Sequence, residues 1–280
     1  MSPLLTIEHV TKTFARGGVF GRTEFAAVDD VSFSLESASP EIFAIIGESG
    51  SGKTTLARMI LSMESPSNGS IRFLGTDVSK LRRRRDRLQF MQRVQPIFQS
   101  PAEAFNPLKR VDRYLFASAY HFAGRRNRDG REAAADEALK KVGLSLAEVR
   151  GRYPHELSGG QLQRTAIARA LISSPALIVA DEPVSMVDAS LRMSIVNLFK
   201  TLRDQFRVSI VYITHDLATA YYISDRVLIL QKGKVVETGP ARQVLSEPHH
   251  PYTIRLRESI LALDDVERIH AAGPETSSSF

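Results

Sequence analysis

Short apolar runs alternate with amphipathic stretches along this chain. The runs are rich in β-branched and aromatic residues, which favour strands, and the stretches between them carry helical spacing. The pattern predicts strands at Leu4–Val10, Val31–Leu35, Ile42–Ile46, Ile71–Leu74, Val94–Phe98, Leu177–Ala180, Ser209–Ile213 and Val227–Gln231. Strands that alternate with helices are typical of βαβ units around a parallel sheet, so we expect an α/β fold.

The predicted strands are of two kinds. Phe43–Ile46 and Leu177–Ala180 are apolar on both faces, and such strands lie in the middle of a parallel sheet that is covered on both sides. Leu4–Val10, Val31–Leu35 and Ile71–Leu74 alternate between apolar and polar positions instead. We therefore expect these three to form an antiparallel layer at the edge of the α/β core.

The strand signals stop between about residues 101 and 160. An amphipathic helix is predicted at Arg131–Lys141, ending at Gly143, and a further helix at Gln161–Ile172. We interpret this region as a helical insertion in the core. The predicted domains are residues 1–240, with the helical part at about 101–160, and a short C-terminal extension at residues 241–280.

Composition narrows the class of protein only slightly. The chain has 280 residues, 43% of them hydrophobic and 24% charged, as in ordinary globular proteins. Because it contains no cysteine, disulfides, thiolate metal sites and a cysteine nucleophile are excluded. The net charge of +6 is compatible with nucleic acid, an anionic membrane face or small anionic ligands. No signal peptide or membrane span is visible, so we expect a cytoplasmic protein that another protein would hold at a membrane.

The strongest chemical motif is Gly47-Glu-Ser-Gly-Ser-Gly-Lys-Thr54, which matches G-x-x-x-x-G-K-[ST]. It follows a predicted strand and opens a helical pattern. Glycines let backbone N–H groups surround phosphate oxygens, and the helix N-terminus adds positive charge. Lys53 would neutralise the β- and γ-phosphates, and the Thr54 hydroxyl would contact Mg²⁺. A flexible Gly/Ser turn is the alternative. A dinucleotide fingerprint is excluded because it needs glycine where Thr55 stands.

Two carboxylates, Asp181 and Glu182, follow the apolar strand at Leu177–Ala180. In a parallel sheet they would lie beside the phosphate loop, where ligands gather. One could hold Mg²⁺ through water while the next orients an attacking water molecule. Taken alone such a pair is usually just a turn, but the phosphate loop upstream favours a catalytic pair.

A second glycine-rich phrase, Leu157-Ser-Gly-Gly-Gln161, directly precedes a predicted helix. Ser158 could simply cap that helix, or the helix N-terminus could bind an anion. The phrase resembles the signature of ATP-binding-cassette (ABC) ATPases, and it lies between the phosphate loop and Asp181 as that family requires. The resemblance implies a P-loop NTPase (RecA-like) core with an antiparallel β subdomain and a helical ABC subdomain.

The resemblance also implies roles for residues that mean little singly. Gln99 is similar to the glutamine that contacts Mg²⁺ and couples to membrane subunits. His215 resembles the switch histidine at the γ-phosphate, although a lone histidine is more often structural. Asp188, in Ser185-Met-Val-Asp188, resembles part of the loop that crosses a dimer interface. Phe14 stands where the family stacks an aromatic ring on adenine, although it could simply belong to the core.

The site residues implied by the motifs and the resemblance fall into three sets. The catalytic set is Glu182, His215, Lys53 and Gln99. The nucleotide-binding set is Phe14, Gly47, Glu48, Ser49, Gly50, Ser51, Gly52, Lys53, Thr54, Thr55, Ser158, Gly159, Gly160, Gln161 and Asp188. The Mg²⁺ ligands are Thr54, Gln99 and Asp181. ATP and Mg²⁺ are the implied cofactors.

Local phrases resemble one branch of the family, the oligopeptide/dipeptide/nickel importer ATPases. They are Phe98-Gln-Ser-Pro101 with Phe105-Asn-Pro107, Tyr153-Pro-His-Glu-Leu-Ser-Gly-Gly160, His250-Pro-Tyr-Thr253 and the insertion at Gly17–Arg22. Some relatives carry a longer, cysteine-containing tail for an iron–sulfur cluster. This tail is short and has no cysteine, so no cluster is implied, and the chain resembles the shorter member of a pair of ATPases.

This resemblance implies an ATP-hydrolysing importer subunit that works as a dimer of cassettes. Its partners would be a second ABC ATPase, identical or paralogous, two integral-membrane permeases, and an extracytoplasmic solute-binding protein reached through the complex. It would lie on the cytoplasmic face of the inner membrane and drive uptake of a peptide or related small solute.

Other functions remain as alternatives. A soluble ABC protein acting on nucleic acid or ribosomes would usually carry two cassettes, zinc cysteines or long coiled coils, and none is visible. A phosphate-loop kinase would not need Ser158–Gln161. A non-enzymatic ATP binder would not need Glu182 and His215. The run Arg82–Arg85 suggests nucleic acid, but its apolar neighbours indicate the solvated face of a helix, so no nucleic-acid partner is expected.

Overall fold

The computed structural model describes residues 3–16, 23–100 and 104–258. The insertion at residues 17–22, Pro101 and residues 259–280 of the C-terminal extension lie outside the described residues. The strands are β1 Pro3–Arg16, β2 Thr23–Glu36, β3 Ile42–Ile46, β4 Asn68–Phe73, β5 Thr76–Asp77, β6 Val94–Ile97, β7 Leu177–Asp181, β8 Ser209–Thr214, β9 Arg226–Gln231 and β10 Lys234–Pro240.

Helices cover the sheets and connect them. They are α1 Lys53–Ile60, α2 Arg84–Arg93, α3 Val111–His121, α4 Arg128–Lys141, α5 Leu146–Val149, α6 Gly159–Leu171, α7 Ala189–Asp204, α8 Leu217–Ile223 and α9 Ala241–Ser246. A final helix, α10, begins at residue 251 and is described through residue 258. Within the described ranges, no helix combines the length and the apolar character needed to cross a bilayer.

The core is a six-stranded sheet in the order β10-β9-β3-β8-β7-β6. Strands β9, β3, β8, β7 and β6 are parallel, and β10 pairs antiparallel with β9. Every residue of β3 is buried, and so are the first four of β7, because apolar clusters cover both faces of the sheet. The predicted central strands of a covered parallel sheet are confirmed.

A second, four-stranded sheet has the order β2-β1-β4-β5, and its strands pair antiparallel. The alternating strands therefore form an antiparallel layer, as predicted. Strands β1 and β2 are 14 residues each and extend beyond the predicted Leu4–Val10 and Val31–Leu35. The register shifts between Ile7 and Val10 and again between Val10 and Lys12. These irregularities break the alternation from which a strand is recognised.

Helices α3 to α6 pack together at one end of the core. Their apolar faces share a buried cluster with the sheet, including Leu115, Leu139 and Ile167. The predicted helix at Arg131–Lys141 is confirmed, but it begins at Arg128. The Asn127 side chain accepts a hydrogen bond from the Gly130 N–H group at 3.2 Å and so caps the helix earlier than its apolar pattern indicates. The boundaries of this helical part as a subdomain stay a prediction.

The basic run at residues 82–85 is exposed and leads into α2. This is the solvated helix face that the neighbouring apolar positions predict. Farther along the chain, α9 and α10 pack on β3 and β9 through a cluster that contains Ala44, Ile229, Leu245 and Tyr252. The start of the predicted C-terminal extension therefore lies against the strand that leads into the phosphate loop.

Candidate functional site

The phosphate loop, residues 47–54, connects β3 to α1 at the carboxyl edge of the parallel sheet. Its shape depends on two glycines. A Cβ atom on Gly47 would lie 2.2 Å from the Leu230 carbonyl oxygen, and one on Gly52 would lie 2.1 Å from the Ala27 carbonyl oxygen. Gly52 also has a φ of +106°, which strongly favours glycine. The loop is therefore held closely between backbone from β2 and β9.

Lys53 bends back over this loop. Its Nζ donates hydrogen bonds to the carbonyl oxygens of Gly47 at 2.7 Å and Glu48 at 2.8 Å. Burial lowers the pKa of Lys53, and the negative charges of Glu182, Asp181 and Glu48 oppose that shift. Among the described residues, no direct ion pair includes Lys53. Its charge, held among backbone groups at a helix N-terminus, suits a bound phosphate group.

Asp181 ends β7 and accepts a hydrogen bond from the Thr54 hydroxyl. Burial raises the pKa of the Asp181 carboxyl, the Glu182 charge adds to this, and Thr54, Lys53 and Arg58 oppose it. The adjacent hydroxyl and carboxylate oxygens are ligands that Mg²⁺ prefers. Within the described ranges, no cluster of three or more His, Cys, Asp or Glu residues could hold a metal by itself. A Mg²⁺ ion here would take further ligands from nucleotide phosphates and water, its usual mode of binding.

Glu182 is held by residues from two neighbouring strands. One carboxylate oxygen, Oε1, lies 3.0 Å from His215 Nδ1, and the other, Oε2, accepts a hydrogen bond from Gln99 Nε2 at 3.3 Å. The Glu182 N–H group donates to the Ile213 carbonyl oxygen at 2.9 Å. Its φ is +46°, a strained conformation for a non-glycine residue that is frequent at functional sites. The ends of β6, β7 and β8 therefore converge on one oriented carboxylate.

A cavity of about 960 Å³ opens over the phosphate loop and is comparable in size to small-molecule sites. It joins the loop to the Glu182 cluster and to an aromatic wall in which the rings of Phe14 and Phe25 are 5.9 Å apart. The predicted site residues that line it are Phe14, Gly47, Glu48, Ser49, Gly50, Gly52, Lys53, Thr54, Thr55, Gln99, Glu182 and His215.

Sequence reasoning missed Phe25, Lys232 and Leu256, which also line this cavity. Phe25 faces Phe14 across the β1–β2 pair, a relationship that becomes visible only once the register is known. Ser51, one of the predicted loop residues, is buried, and its hydroxyl has no hydrogen-bond partner within the described part of the chain.

The signature segment, residues 158–161, begins α6. The Ser158 hydroxyl accepts from the Gln161 N–H group at 3.2 Å, and the Gln161 side chain accepts from the Ser158 N–H group at 3.1 Å. A Cβ atom on Gly160 would lie 2.7 Å from Leu191 Cδ1, whereas Gly159 faces open space. This exposed N-terminus of a 13-residue helix could bind an anion that another molecule brings.

The signature segment does not join the phosphate loop within one chain. Neither its residues nor Asp188, at the start of α7, is among the described residues that line the cavity. Both positions are solvent-facing in large part, since Gly159 and Asp188 are exposed. If they act on a nucleotide, it is one held by a second molecule.

Two family models match the chain. The model described as ABC transporter matches residues 28–185, which include the phosphate loop, the Glu182 cluster and the signature segment. The chain belongs to the ABC transporter family. The model of the oligopeptide/dipeptide transporter C-terminal region matches residues 236–279 of this cassette. ATP binding and hydrolysis are the activity of the family, so the chain is an ABC-type ATPase.

Sequence similarity to named relatives extends over most of the cassette. It is 37% identical to the oligopeptide transport ATP-binding protein AmiF of Streptococcus pneumoniae, across 88% of this chain and 79% of that protein. It is 38% identical to the oligopeptide transport ATP-binding protein AppF of Bacillus subtilis, across 92% and 78%. The resemblance to the peptide-importer branch is confirmed.

Solved structures support the fold of the cassette. A dimeric ATP-binding cassette in a post-hydrolysis state with ADP and Pi superposes with a TM-score of 0.74 at 27% identity, covering 85% of this chain and 99% of that one. A dimeric bacterial ABC transporter cassette gives 0.73 at the same identity. The predicted P-loop NTPase core with antiparallel and helical parts is confirmed.

Proposed function

We propose that this cassette is the ATP-hydrolysing subunit of an importer of peptides or related small solutes. The observation that carries the proposal is the Glu182 carboxylate, fixed by Gln99 and His215 at one end of the phosphate-loop cavity. The match of its C-terminal region to the oligopeptide/dipeptide transporter model supports peptide-type cargo, as do the relatives named for oligopeptide transport.

In this proposal the cavity holds ATP. The phosphates lie against the N–H groups of the loop and the start of α1, where Lys53 supplies a positive charge. The aromatic wall of Phe14, joined by Phe25, stacks on the adenine ring. Mg²⁺, held by Thr54, Asp181 and Gln99, would stabilise phosphate charge when bound.

Glu182 acts as the general base in this site. Its carboxylate, oriented from both sides, polarises the water that attacks the γ-phosphorus and accepts the proton that this water loses. The bond from the γ-phosphorus to the bridging β–γ oxygen breaks, and ADP and phosphate leave. His215 contacts Glu182 through Nδ1, which leaves Nε2 to donate to the γ-phosphate. Because the His215 side chain is 60% exposed, its ring can reach a ligand in the cavity.

A complete site needs two cassettes. The signature segment and Asp188 do not line the cavity of their own chain, so we place them against ATP held by a second cassette, identical or paralogous. The similar solved cassettes are dimers. ATP closes this dimer and hydrolysis lets it open, and Gln99 transmits the change to two integral-membrane permeases.

The remaining partners and boundaries follow from the same proposal. An extracytoplasmic solute-binding protein would deliver cargo to the permeases, and the cassette would lie on the cytoplasmic face of the inner membrane. The ATPase domain would span residues 1–240, with its helical subdomain at about 101–160, and the C-terminal extension would span residues 241–280. No nucleic-acid partner is involved.

Purification of the intact membrane complex tests the proposal. Its subunits should be this cassette, a second ATPase or a second copy, and two permeases. In proteoliposomes that also contain the solute-binding protein, peptides should stimulate ATP turnover, and the Glu182→Gln complex should show no stimulation. A cassette that associates with no permease, or a complex that responds only to unrelated solutes, would contradict the importer assignment while leaving the ATPase.

A further inference from the structure

Tyr252, in α10, lies against the back of the phosphate loop. Its side chain is 2% exposed and packs in the cluster that contains Ala44 and Ile46 of β3. The Tyr252 hydroxyl oxygen accepts a hydrogen bond from the backbone N–H group of Glu48 at 2.9 Å. Glu48 is the second residue of the loop, so a side chain 204 positions away contacts the nucleotide site from behind.

This contact completes the hydrogen bonding of the Gly47–Glu48 peptide group, whose carbonyl oxygen belongs to Gly47 and accepts from Lys53 Nζ at 2.7 Å. The carbonyl oxygen of Glu48 accepts from Lys53 Nζ at 2.8 Å and from the Ser51 N–H group at 3.2 Å. Its N–H group donates to Tyr252. Burial raises the pKa of the Tyr252 hydroxyl, against the effect of the Glu48 hydrogen bond, so this acceptor stays neutral at physiological pH. Without it, a partly buried backbone donor would lose its partner.

The start of α10 is fixed by β10. The Glu237 carboxylate accepts from the N–H groups of His249 at 2.9 Å and His250 at 3.3 Å. The Tyr252 N–H group donates to His250 Nδ1 at 3.2 Å, and Pro251 suits a first helical turn because it has no N–H to satisfy. Each polar part of the His-Pro-Tyr phrase therefore contributes to aiming the Tyr252 ring.

The same face of α10 also reaches the cavity. Leu256 is four residues beyond Tyr252, about one helical turn, so the two side chains lie on one side of the helix. Leu256 lines the cavity over the phosphate loop. One helix face thus contacts the loop from behind through Tyr252 and the nucleotide space through Leu256.

We propose that Tyr252 is a positioning residue for ATP binding, which fixes the Gly47–Glu48 peptide group and through it the Gly47 carbonyl oxygen that orients Lys53. The C-terminal region then sets the affinity of the phosphate loop for nucleotide from outside the ATPase motifs. This inference rests on the proposed role of the loop in holding ATP. It gives the His-Pro-Tyr phrase a task in the cassette itself.

The test compares two tyrosine variants of the full chain. Tyr252→Phe removes only the hydroxyl that accepts from Glu48. The control is Tyr114→Phe, because the Tyr114 hydroxyl accepts from the Asn106 N–H group at 2.8 Å and lies outside the cavity lining in the described chain. Titration calorimetry with Mg–ATP should show affinity weakened about three- to tenfold by Tyr252→Phe, the scale of one hydrogen bond, and unchanged by Tyr114→Phe.

Steady-state kinetics and amide exchange measure effects that are not expected if Tyr252 only stabilises the fold. In Tyr252→Phe, the KM for ATP should rise by a similar factor while kcat stays within about twofold. Because coupling is reciprocal, Mg–ATP should slow amide exchange of residues 252–258 in the wild-type chain, and do so less in Tyr252→Phe.

Unchanged ATP affinity in Tyr252→Phe, with a thermal midpoint lowered as in Tyr114→Phe, would overturn the inference. Failure of the proposal that the phosphate loop holds ATP would give a different result. Lys53→Ala would then bind Mg–ATP as tightly as the wild type does, because the wild-type chain would bind ATP at a site other than the phosphate loop.

Discussion

His215 Nδ1 lies 3.0 Å from Oε1 of Glu182, and the two residues are 33 positions apart in the chain. The parallel pairing of β7 with β8 brings their ends to one edge of the sheet. Because Gln99 donates to the second carboxylate oxygen, the carboxylate cannot rotate freely. An oriented base of this kind is what water attack on a phosphorus atom requires.

Replacing Glu182 by glutamine removes the proposed base and nearly preserves the shape of the side chain. We expect Glu182→Gln to lower ATP turnover by at least about a hundredfold, the scale of a general base, while Mg–ATP still binds. A phosphate-release assay and a nucleotide-binding titration measure the two effects. Glu148→Gln is the control, since Glu148 caps the distant α5. Turnover near the wild-type rate in Glu182→Gln would contradict the proposal that Glu182 is the general base.

Removing the histidine partner should reduce turnover as well. We expect His215→Ala to lower kcat by about tenfold or more, because the proposed donor to the γ-phosphate and one contact that orients Glu182 are both lost. His9→Ala is matched chemically, since His9 Nδ1 lies 2.8 Å from Asp30 Oδ1 at an exposed position away from the site. That control should keep the wild-type rate, and equal losses in both variants would argue against a special role for His215.

Mixing two inactive variants tests the shared site. Lys53→Ala disables the phosphate loop, and Ser158→Arg blocks the signature segment. In a homodimer, a mixed pair combines one intact loop with one intact signature segment, so the mixture should recover ATPase activity that neither variant shows alone. Rates measured across mixing ratios should peak near equal amounts. If every mixture stays inactive, the site is not shared between identical chains, and the same experiment should be run with the paralogous partner.

The partly buried carboxyl of Asp181 should lower the folding stability of the nucleotide-free chain near neutral pH. Because its pKa is raised in the folded chain, the folded state binds the proton more tightly, and stability falls as pH rises from the ordinary carboxyl pKa through the raised one. The penalty is complete above both values. Asp181→Asn should therefore raise the thermal midpoint of the nucleotide-free chain by about 1–4 °C near pH 7, with no gain near pH 3.5, and it should weaken Mg²⁺-dependent ATP binding.

A pair of glycine variants separates two kinds of strain. Gly52→Ala and Gly75→Ala both place alanine at positive φ, but only at Gly52 would the new Cβ lie 2.1 Å from a carbonyl oxygen, that of Ala27. The conformational cost alone is about 1–2 kcal/mol, so Gly75→Ala should lower the thermal midpoint by several degrees at most. Gly52→Ala should lose more stability and bind ATP poorly. Equal thermal midpoints for the two variants would show that the Ala27 backbone in β2 shifts readily to make room for the new Cβ atom.

Much of the fold could be predicted because its signals are local. Central strands such as β3 and β8 are buried along their whole length and are mostly apolar, and the phosphate loop has its sequence pattern within eight positions. Edge strand β10 was missed, since its residues are mostly partly exposed and it contains Gly239 and Pro240. Helices α7 and α8 were also missed, although α7 carries a clear apolar face.

The candidate site likewise combines residues that sequence patterns predict with contacts that they miss. Glu182 was predicted from the apolar strand that it follows and from the phosphate loop upstream, whereas the role of His215 was implied only by the resemblance to ABC ATPases. The pairing of Phe14 with Phe25 depends on strand register, and the contact of Tyr252 with Glu48 joins distant parts of the chain. Such contacts depend on how the strands and helices assemble, so no local sequence pattern predicts them. The individual site roles and the domain boundaries stay predictions.

The reciprocal cap formed by Ser158 and Gln161 has a consequence for assembly. Both side chains are already engaged within their own helix, so the start of α6 does not have to become ordered when another cassette arrives. Association then loses little conformational entropy at this end of the interface. We infer that two cassettes meet there as rigid bodies, so the speed of closure is governed by how the bodies rotate together, with no local folding step to wait for.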